Sequence, residues 1–137
     1  MLDTYTNTPQ TVITDGIIIF NTNRVQTGCT ATHAAGTGSI SLNKPGFYLV
    51  HFNGDAAESG TAGNITVQLF KNGVLVPGAE ATEDSTATTD IVNMAFETIV
   101  RVTPDCLSCG TSVSLTFEDA GVGAVFSNVE VVVTKLC

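Results

Sequence analysis

Tryptophan is absent from the 137 residues, and aromatic residues of all kinds make up only 7% of the chain. Charged residues are also scarce, at 13%, with five basic residues against thirteen acidic ones. The formal net charge of -8 argues against a sequence-independent nucleic-acid binder, because such proteins contact phosphate through lysine and arginine. The scarcity of aromatic rings disfavours a carbohydrate-binding module that would stack them on sugars.

Long apolar runs are missing as well. No segment approaches the roughly 18 consecutive apolar residues that a membrane-spanning helix requires. The N-terminus, MLDTYTNTPQ, has neither the basic region nor the apolar region of a secretory signal. We therefore expect no membrane insertion, and a location outside the cell or on a particle surface that is reached by lysis or by assembly into a larger particle.

Hydrophobic residues, with alanine, tyrosine and cysteine counted among them, make up 43% of the chain, and they recur with a period of two. This alternation is typical of strands with one buried face and differs from the spacing of an amphipathic helix. The longest example places six residues on one face, which we predict to be core: Val92, Met94, Phe96, Thr98, Val100 and Val102. The same pattern recurs at Ile65 to Leu69, Val113 to Phe117 and Val129 to Val133. The sequence therefore predicts an all-β protein.

Turn signals separate the predicted strands at regular intervals. Gly, Asn, Pro and Asp cluster at 71–73, 76–78, 80–90, 104–110 and 118–123, which we interpret as turns and loops. About eight short strands with this spacing favour a two-sheet antiparallel sandwich or jelly roll, although an up-and-down barrel also fits. We expect a single domain at residues 12–137. Residues 1–11 are predicted to form a polar arm that is ordered only by docking to a partner, for which it would serve as an anchor.

One predicted strand breaks the alternation. Ile17, Ile18, Ile19 and Phe20 are consecutively apolar, so both faces of that strand should avoid water. Because only one face of a sandwich strand meets the core, something else must cover the second face. A neighbouring subunit is the simplest cover, and a long loop or the N-terminal arm is the alternative.

The order of these features resembles a known family. IIIFN at 17–21, GSISLNKPGFYLVHFNGDA at 38–56, VQLFKNG at 67–73, SVSLTF at 112–117 and FSNVEVVV at 126–133 follow one another as in the C1q and tumour-necrosis-factor type of jelly roll. The most specific pieces are I-x-L-x-x-P-G-x-Y at Ile40 to Tyr48 and L-x-K-N-G at Leu69 to Gly73. The resemblance covers about residues 12 to 134.

The resemblance implies a ten-stranded sandwich and a three-fold trimer with one sheet of each subunit around the axis. It also implies a non-enzymatic role as a structural or adhesive module on a bacterial spore or a bacteriophage particle, attached to a fibre, capsid or spore scaffold. Ile17 to Phe20 and His51 would then form the trimer interface. Loops that contain Glu83, Asp84, Asp90, Leu107 and Ser108 would recognise a surface glycan or protein, at the end opposite the N-terminal arm and Cys137. A monomeric carbohydrate-binding module is the alternative.

Four cysteines allow three interpretations. Cys106 and Cys109 form a C-x-x-C, and Cys29 with His33 forms a C-x-x-x-H, so the four residues could provide a Cys3His zinc set. An even number of cysteines outside the cell equally favours disulfides, within or between chains, and free thiols are the third interpretation. Cys137, just beyond the last predicted strand, is a candidate for an interchain bond.

Catalytic motifs are weak. A nucleophile would have to use His33 or His51, the two histidines of the chain, and no nucleophile elbow accompanies either. The acidic residues near Glu83 lack the spacing of an EF-hand, so calcium is only an open option and we expect no cofactor. We therefore predict a protein that is not an enzyme.

Overall fold

The computed structural model describes residues 1–104 and 112–137, and the regular structure in these two ranges consists of strands alone. They are β1 (Leu2–Thr6), β2 (Gln10–Val12), β3 (Gly16–Ile17), β4 (Thr22–Gln26), β5 (Ala31–His33), β6 (Ile40–Leu42), β7 (Gly46–Glu58), β8 (Gly63–Lys71), β9 (Val74–Ser85), β10 (Val92–Val102), β11 (Val113–Asp119) and β12 (Ala124–Lys135). Within the described part of the chain, no helix has the length and apolar character needed to cross a membrane.

The strands form two six-stranded antiparallel sheets. Sheet A has the order β10-β7-β12-β1-β4, and β2 pairs with β12. Sheet B has the order β5-β6-β11-β8-β9, and β3 pairs with β11. The predicted all-β, two-sheet sandwich is therefore confirmed, with more strands than the sequence pattern indicates.

The core lies between the two sheets and is built from alternate residues of the long strands. Tyr48, Val50 and Phe52 of β7 have no exposed surface, and the rings of Phe52 and Phe117 stack across the core at 5.3 Å. The predicted core positions of β8, β11 and β12 are all buried, and in β10 Met94, Val100 and Val102 are buried while Phe96 packs against the core from a partly buried position. Period-two alternation thus identifies the inward face of these strands.

The N-terminal residues belong to the sheet, which corrects the expectation of an arm that needs a partner to become ordered. Strand β1 lies inside sheet A between β12 and β4, with Leu2 opposite Val133. Strand β2 then pairs with the start of β12, where Val12 lies opposite Ala124. These ladders satisfy the backbone of the segment without a second molecule.

The acidic stretch 80–90 is also different from its prediction as a loop. Strand β9 extends to Ser85 and pairs with β8 along most of its length, with Glu83 opposite Ile65 and Asp84 opposite Asn64. Only residues 86–91 connect β9 to β10. Glu83 and Asp84 are therefore exposed residues of an edge strand, and Asp90 alone of the three lies in the loop.

Ile17 to Phe20 alternate after all. Ile18 and Phe20 are fully buried in the core of the single chain, whereas Ile17 and Ile19 are 48% and 42% exposed. The segment begins at the end of β3 in sheet B and leads to β4 in sheet A, and its Ile18 N–H donates to the Phe117 carbonyl of β11 at 2.9 Å. Ile18 and Phe20 are thus core residues, so their prediction as interface residues is wrong. An interface through Ile17 and Ile19 stays a prediction.

The register of the strands defines two ends of the sandwich. At the Cys137 end, Gly46 lies opposite Val102, and the carbonyl of Cys137 accepts a hydrogen bond from the Phe47 N–H at 3.1 Å. At the Glu58 end, Glu58 lies opposite Ala124 and the loop 86–91 enters β10. Val102 at the end of β10 and Val113 at the start of β11, which flank the second predicted recognition loop, lie at the Cys137 end, opposite the loop 86–91.

Candidate association surface

The outer face of sheet A carries exposed apolar side chains near the Cys137 end. Phe47 is 41% exposed and Ile99 is 57% exposed. Leu49 lies opposite Ile99 in the β7–β10 ladder, and it also has Thr134 of β12 as its neighbour on the other side. We use the name apolar half-face for four residues of this surface, namely Phe47, Leu49, Ile99 and the half-buried Val132. A cluster of this kind on a sheet surface favours contact with another protein surface.

The remainder of this face is polar. Asn93 donates hydrogen bonds from Nδ2 to the side chains of Asn53 at 2.9 Å and Asp55 at 2.7 Å. His51 lies between the polar and apolar parts, where its Nδ1 is 3.8 Å from the Glu97 carboxylate. Both partners are substantially exposed, so the pair contributes little to the stability of the single chain.

A groove of about 270 Å³ runs along the side of the sandwich next to the apolar half-face. It lies between the edge strands β9 and β10 and is lined by Val74, Leu75 and Pro77 on one side and by Ile99 on the other. Val74 is 69% exposed. Lys71 closes part of the groove by donating from Nζ to the Arg101 carbonyl at 2.6 Å. Ile99 belongs to both the groove and the half-face, so the two form one continuous apolar surface.

The opposite border of sheet A is charged. Arg24 contacts Glu130 at 2.8 Å and Asp3 at 3.2 Å, and its guanidinium lies over the Tyr5 ring at 4.7 Å. Burial raises the pKa of Asp3 against the lowering effect of Arg24, and its Oδ1 has no hydrogen-bond partner. This border is therefore structured and polar, and it limits the apolar surface to the β7–β10 side.

His33 is part of the interior. Its Nδ1 lies 2.6 Å from the Asn23 amide oxygen and 3.2 Å from the Thr4 hydroxyl, and its Nε2 lies 2.9 Å from the Thr37 carbonyl. Both ring nitrogens are thus engaged within the protein. A role as metal ligand or catalytic base would have to replace these contacts.

The structure separates several other predicted site residues. Cys29 and Cys137 are exposed and form no disulfide with a described residue, whereas Cys106 and Cys109, with Leu107 and Ser108, lie outside the described residues, so the predicted disulfides stay a prediction. The zinc set and the recognition role of that loop stay predictions. In the described ranges, His, Cys, Asp and Glu form no group of three or more that could hold a metal ion, which includes the acidic residues proposed for calcium.

No protein-family model and no curated protein matches the sequence, but solved structures match the fold. The globular domain of zebrafish complement 1qA is similar with a TM-score of 0.59 at 13% identity, over 93% of this chain and 92% of that one. Murine APRIL, crystallised at pH 8.5, is similar with a TM-score of 0.59 at 11% identity, over 98% of this chain and 97% of that one. This chain has the C1q/TNF-like jelly-roll fold.

The C1q/TNF-like fold confirms the resemblance inferred from the order of the motifs. The sequence missed the apolar half-face as a candidate site, although Phe47, Leu49 and Ile99 carried a signal. They are apolar residues on the solvent side of strands whose other side is core, which alternation alone does not require. Ile17 of β3 lies on sheet B and His51 of β7 on sheet A, so the structure does not bring the two predicted interface elements together.

Proposed function

We propose that this protein is a non-enzymatic structural and adhesive module that assembles as a homotrimer on the surface of a bacterial spore or a bacteriophage particle. The carrying observation is the continuous apolar surface formed by the half-face and the β9–β10 groove. The half-face and the groove adjoin at Ile99. Such a surface suits a heterologous contact, in which the half-face of one subunit packs on the groove of the next and a rotation closes the ring. The C1q/TNF-like fold supports this arrangement.

The proposal accounts for both histidines without chemistry. His33 is engaged by Asn23, Thr4 and Thr37 in the interior, and His51 lies on a sheet face beside Glu97. In the assembly His51 would lie at the border between contacting apolar side chains and the Asn53–Asn93 hydrogen bonds. A carboxylate beside an imidazole on an open face lacks the enclosed cleft in which general-base catalysis operates.

Light scattering coupled to size exclusion tests the assembly. Three chains of 14.2 kDa give about 43 kDa. We expect the double variant Phe47→Glu, Ile99→Glu to elute as a folded monomer, because six charges would be buried in the trimer contacts. The matched variant Ile17→Glu, Ile19→Glu changes two comparably exposed isoleucines, one in β3 and one just after it, and should leave the mass unchanged.

The two variants also separate this interface from the one predicted on sequence. Dissociation by the Ile17 and Ile19 changes alone would place the interface at the segment Ile17 to Phe20 instead. A mass near 14 kDa for the unaltered protein at concentrations up to 100-fold above the assay would overturn the trimer. The genomic neighbourhood, with virion genes or spore-coat genes beside it, distinguishes the two particles.

A monomeric carbohydrate-binding module remains the second candidate because of one observation on sheet B. An open recess of about 500 Å³ lies there, and its lining includes the hydroxyl groups of Thr32, Thr37, Ser39 and Ser41. Hydroxyls of this kind suit hydrogen bonding to sugars. Glycan-array binding by the Phe47→Glu, Ile99→Glu monomer, lost on Ser41→Trp, would favour this candidate over the trimeric module.

A further inference from the structure

A further cavity, of about 250 Å³, opens at the Glu58 end of the sandwich. Its apolar wall consists of Ala57, Val125 and the 62% exposed Ile91. Its polar lining consists of Glu58 with three hydroxyl residues, Ser59, Thr88 and Ser127. Neither the apolar half-face nor the β9–β10 groove includes any of these residues.

Glu58 is the chemically distinctive member of the lining. It is 6% exposed, and its Oε2 accepts a hydrogen bond from the Gly60 N–H. Among the described residues, no lysine, arginine or histidine forms an ion pair with it, and its Oε1 has neither a hydrogen-bond partner nor a place among the fully buried polar atoms. Oε1 therefore keeps an accessible acceptor. A buried carboxylate with an unused acceptor is stabilised by a cationic hydrogen-bond donor.

The walls of the cavity are held in place before any ligand arrives. The Ser85 hydroxyl is fully buried, accepts from the Glu58 N–H at 3.0 Å and donates to the Asp90 carbonyl at 2.9 Å, which ties β7 to the loop 86–91. Asp90 Oδ2 in turn accepts from the N–H and the hydroxyl of Thr86. These contacts fix the loop that carries Thr88 and Ile91.

A β-bulge completes the cavity on the opposite side. In the β7–β12 ladder, Phe126 lies opposite Ala56 and Asn128 lies opposite Asp55, which leaves Ser127 without a partner. Bulges re-aim a side chain and are over-represented beside functional sites. The Ser127 hydroxyl is within 3.4 Å of the Asp55 carbonyl at this point.

We infer that this cavity binds a primary ammonium group, with Glu58 as its counter-ion and Ser59, Thr88 and Ser127 as hydrogen-bond acceptors. The volume is below the roughly 300 Å³ at which pockets for drug-sized ligands begin, so one side chain or one sugar ring fits and a polymer does not. The net charge of -8 draws cations toward the protein. A lysine side chain and an amino sugar share this chemistry.

Titration of the full chain with three probes distinguishes the two sources. The probes are Nα-acetyl-lysine methylamide, which keeps the side-chain ammonium, glucosamine, and N-acetylglucosamine. In the last of these the ammonium is replaced by a neutral amide. NMR shifts or calorimetry measure the binding. We expect at least one of the two amines to bind and N-acetylglucosamine not to bind. Binding of the lysine derivative alone indicates a protein partner, and binding of glucosamine alone indicates an amino sugar.

Glu58→Gln is the deciding variant, because the amide oxygen keeps the contact with Gly60 and only the charge is lost. We expect binding to weaken by about tenfold or more, as for loss of a charge-assisted hydrogen bond. Glu80→Gln removes the same charge from exposed β9 and should bind as the unaltered protein does. Thr88→Leu, an exposed loop change that fills the cavity, should abolish binding even if Glu58→Gln proves unstable. Absence of binding by both amines, or equal binding by Thr88→Leu, overturns the site.

Discussion

Buried hydroxyls explain why parts of the core are invisible in the sequence. Thr4 and Thr6 of β1 are 0% and 2% exposed, a burial typical of apolar residues. Their hydroxyls donate to the carbonyls of Thr22 and Ile19, both at 3.0 Å, so the cost of removing them from water is offset. Because this compensation depends on partners from other strands, hydropathy alone predicted a polar arm at these residues.

Asp119 is the buried carboxyl with the clearest consequence for stability. It has no exposed surface, Oδ1 accepts from the Gly121 N–H at 3.0 Å, and Oδ2 has no hydrogen-bond partner among the described residues. Burial, aided by the nearby Asp15 charge and opposed by backbone hydrogen bonds from Gly121 and Thr66, raises the pKa of Asp119 from 3.8 to about 6. The folded chain therefore binds this proton more tightly than the unfolded chain does.

This difference predicts a loss of stability as the pH rises. Between pH 3.8 and about 6 the folded state holds more protons, so the free energy of unfolding falls through that window and is constant above it. The loss is at most about 3 kcal/mol at 1.36 kcal/mol per pKa unit. Urea unfolding of Asp119→Asn at pH 4.5 and 7.5 should show a smaller decrease than the unaltered protein. An identical decrease in both proteins would contradict the role of Asp119.

At the scale of the element, sequence reasoning succeeded where alternation and turn chemistry agreed. Strand β10 and the β8–β9 turn were predicted closely, because Val92 to Val102 alternate and Lys71-Asn72-Gly73 ends the run. It failed on β9, because residues 80–85 are acidic and hydroxyl-rich. Strand β9 is an edge strand, where charged side chains protect the unpaired backbone from pairing with other chains, so composition there reflects exposure rather than a loop.

The β8–β9 hairpin depends on two residues with positive φ. Asn72 has φ of 50° and Gly73 has φ of 77°, as a two-residue turn between twisted strands requires. We expect Gly73→Ala to destabilise the protein by about 1 kcal/mol, because a Cβ is disfavoured at that φ although nothing within 4 Å would clash with it. Chemical denaturation measures the change. Gly73→Asn adds a side chain that tolerates the left-handed region, so it should cost less than Gly73→Ala. An equal loss in the two variants would contradict the strain argument.

At the scale of the whole molecule, the sandwich separates two kinds of surface. The apolar half-face lies toward the Cys137 end of sheet A, while the cavity with Glu58 lies at the other end. Fold class and the order of the strands were predictable because they follow from patterning along the chain. Neither surface was predictable, because each combines residues that are distant in the sequence. The cavity with Glu58 joins β7, β12 and the connection before β10, and the apolar surface joins β7, β10, β12 and edge strand β9. The proximity of these residues depends on the register between strands.

The net charge makes assembly dependent on salt. Subunits that each carry -8 repel one another, and screening shortens the range of this repulsion from about 30 Å at 0.01 M salt to about 8 Å at 0.15 M. Phe47, Leu49 and Ile99 are uncharged, so the half-face holds no acidic residue that could pair with Lys71 and Arg101 of the groove. We therefore expect the trimer to dissociate several-fold less at the higher salt concentration, as measured by analytical ultracentrifugation. Glu83→Gln with Asp84→Asn, which lowers the charge to -6, should reduce this dependence. Weaker assembly at high salt would instead indicate an interface held by ion pairs such as those of Arg24, and would move the contact to the charged border of sheet A.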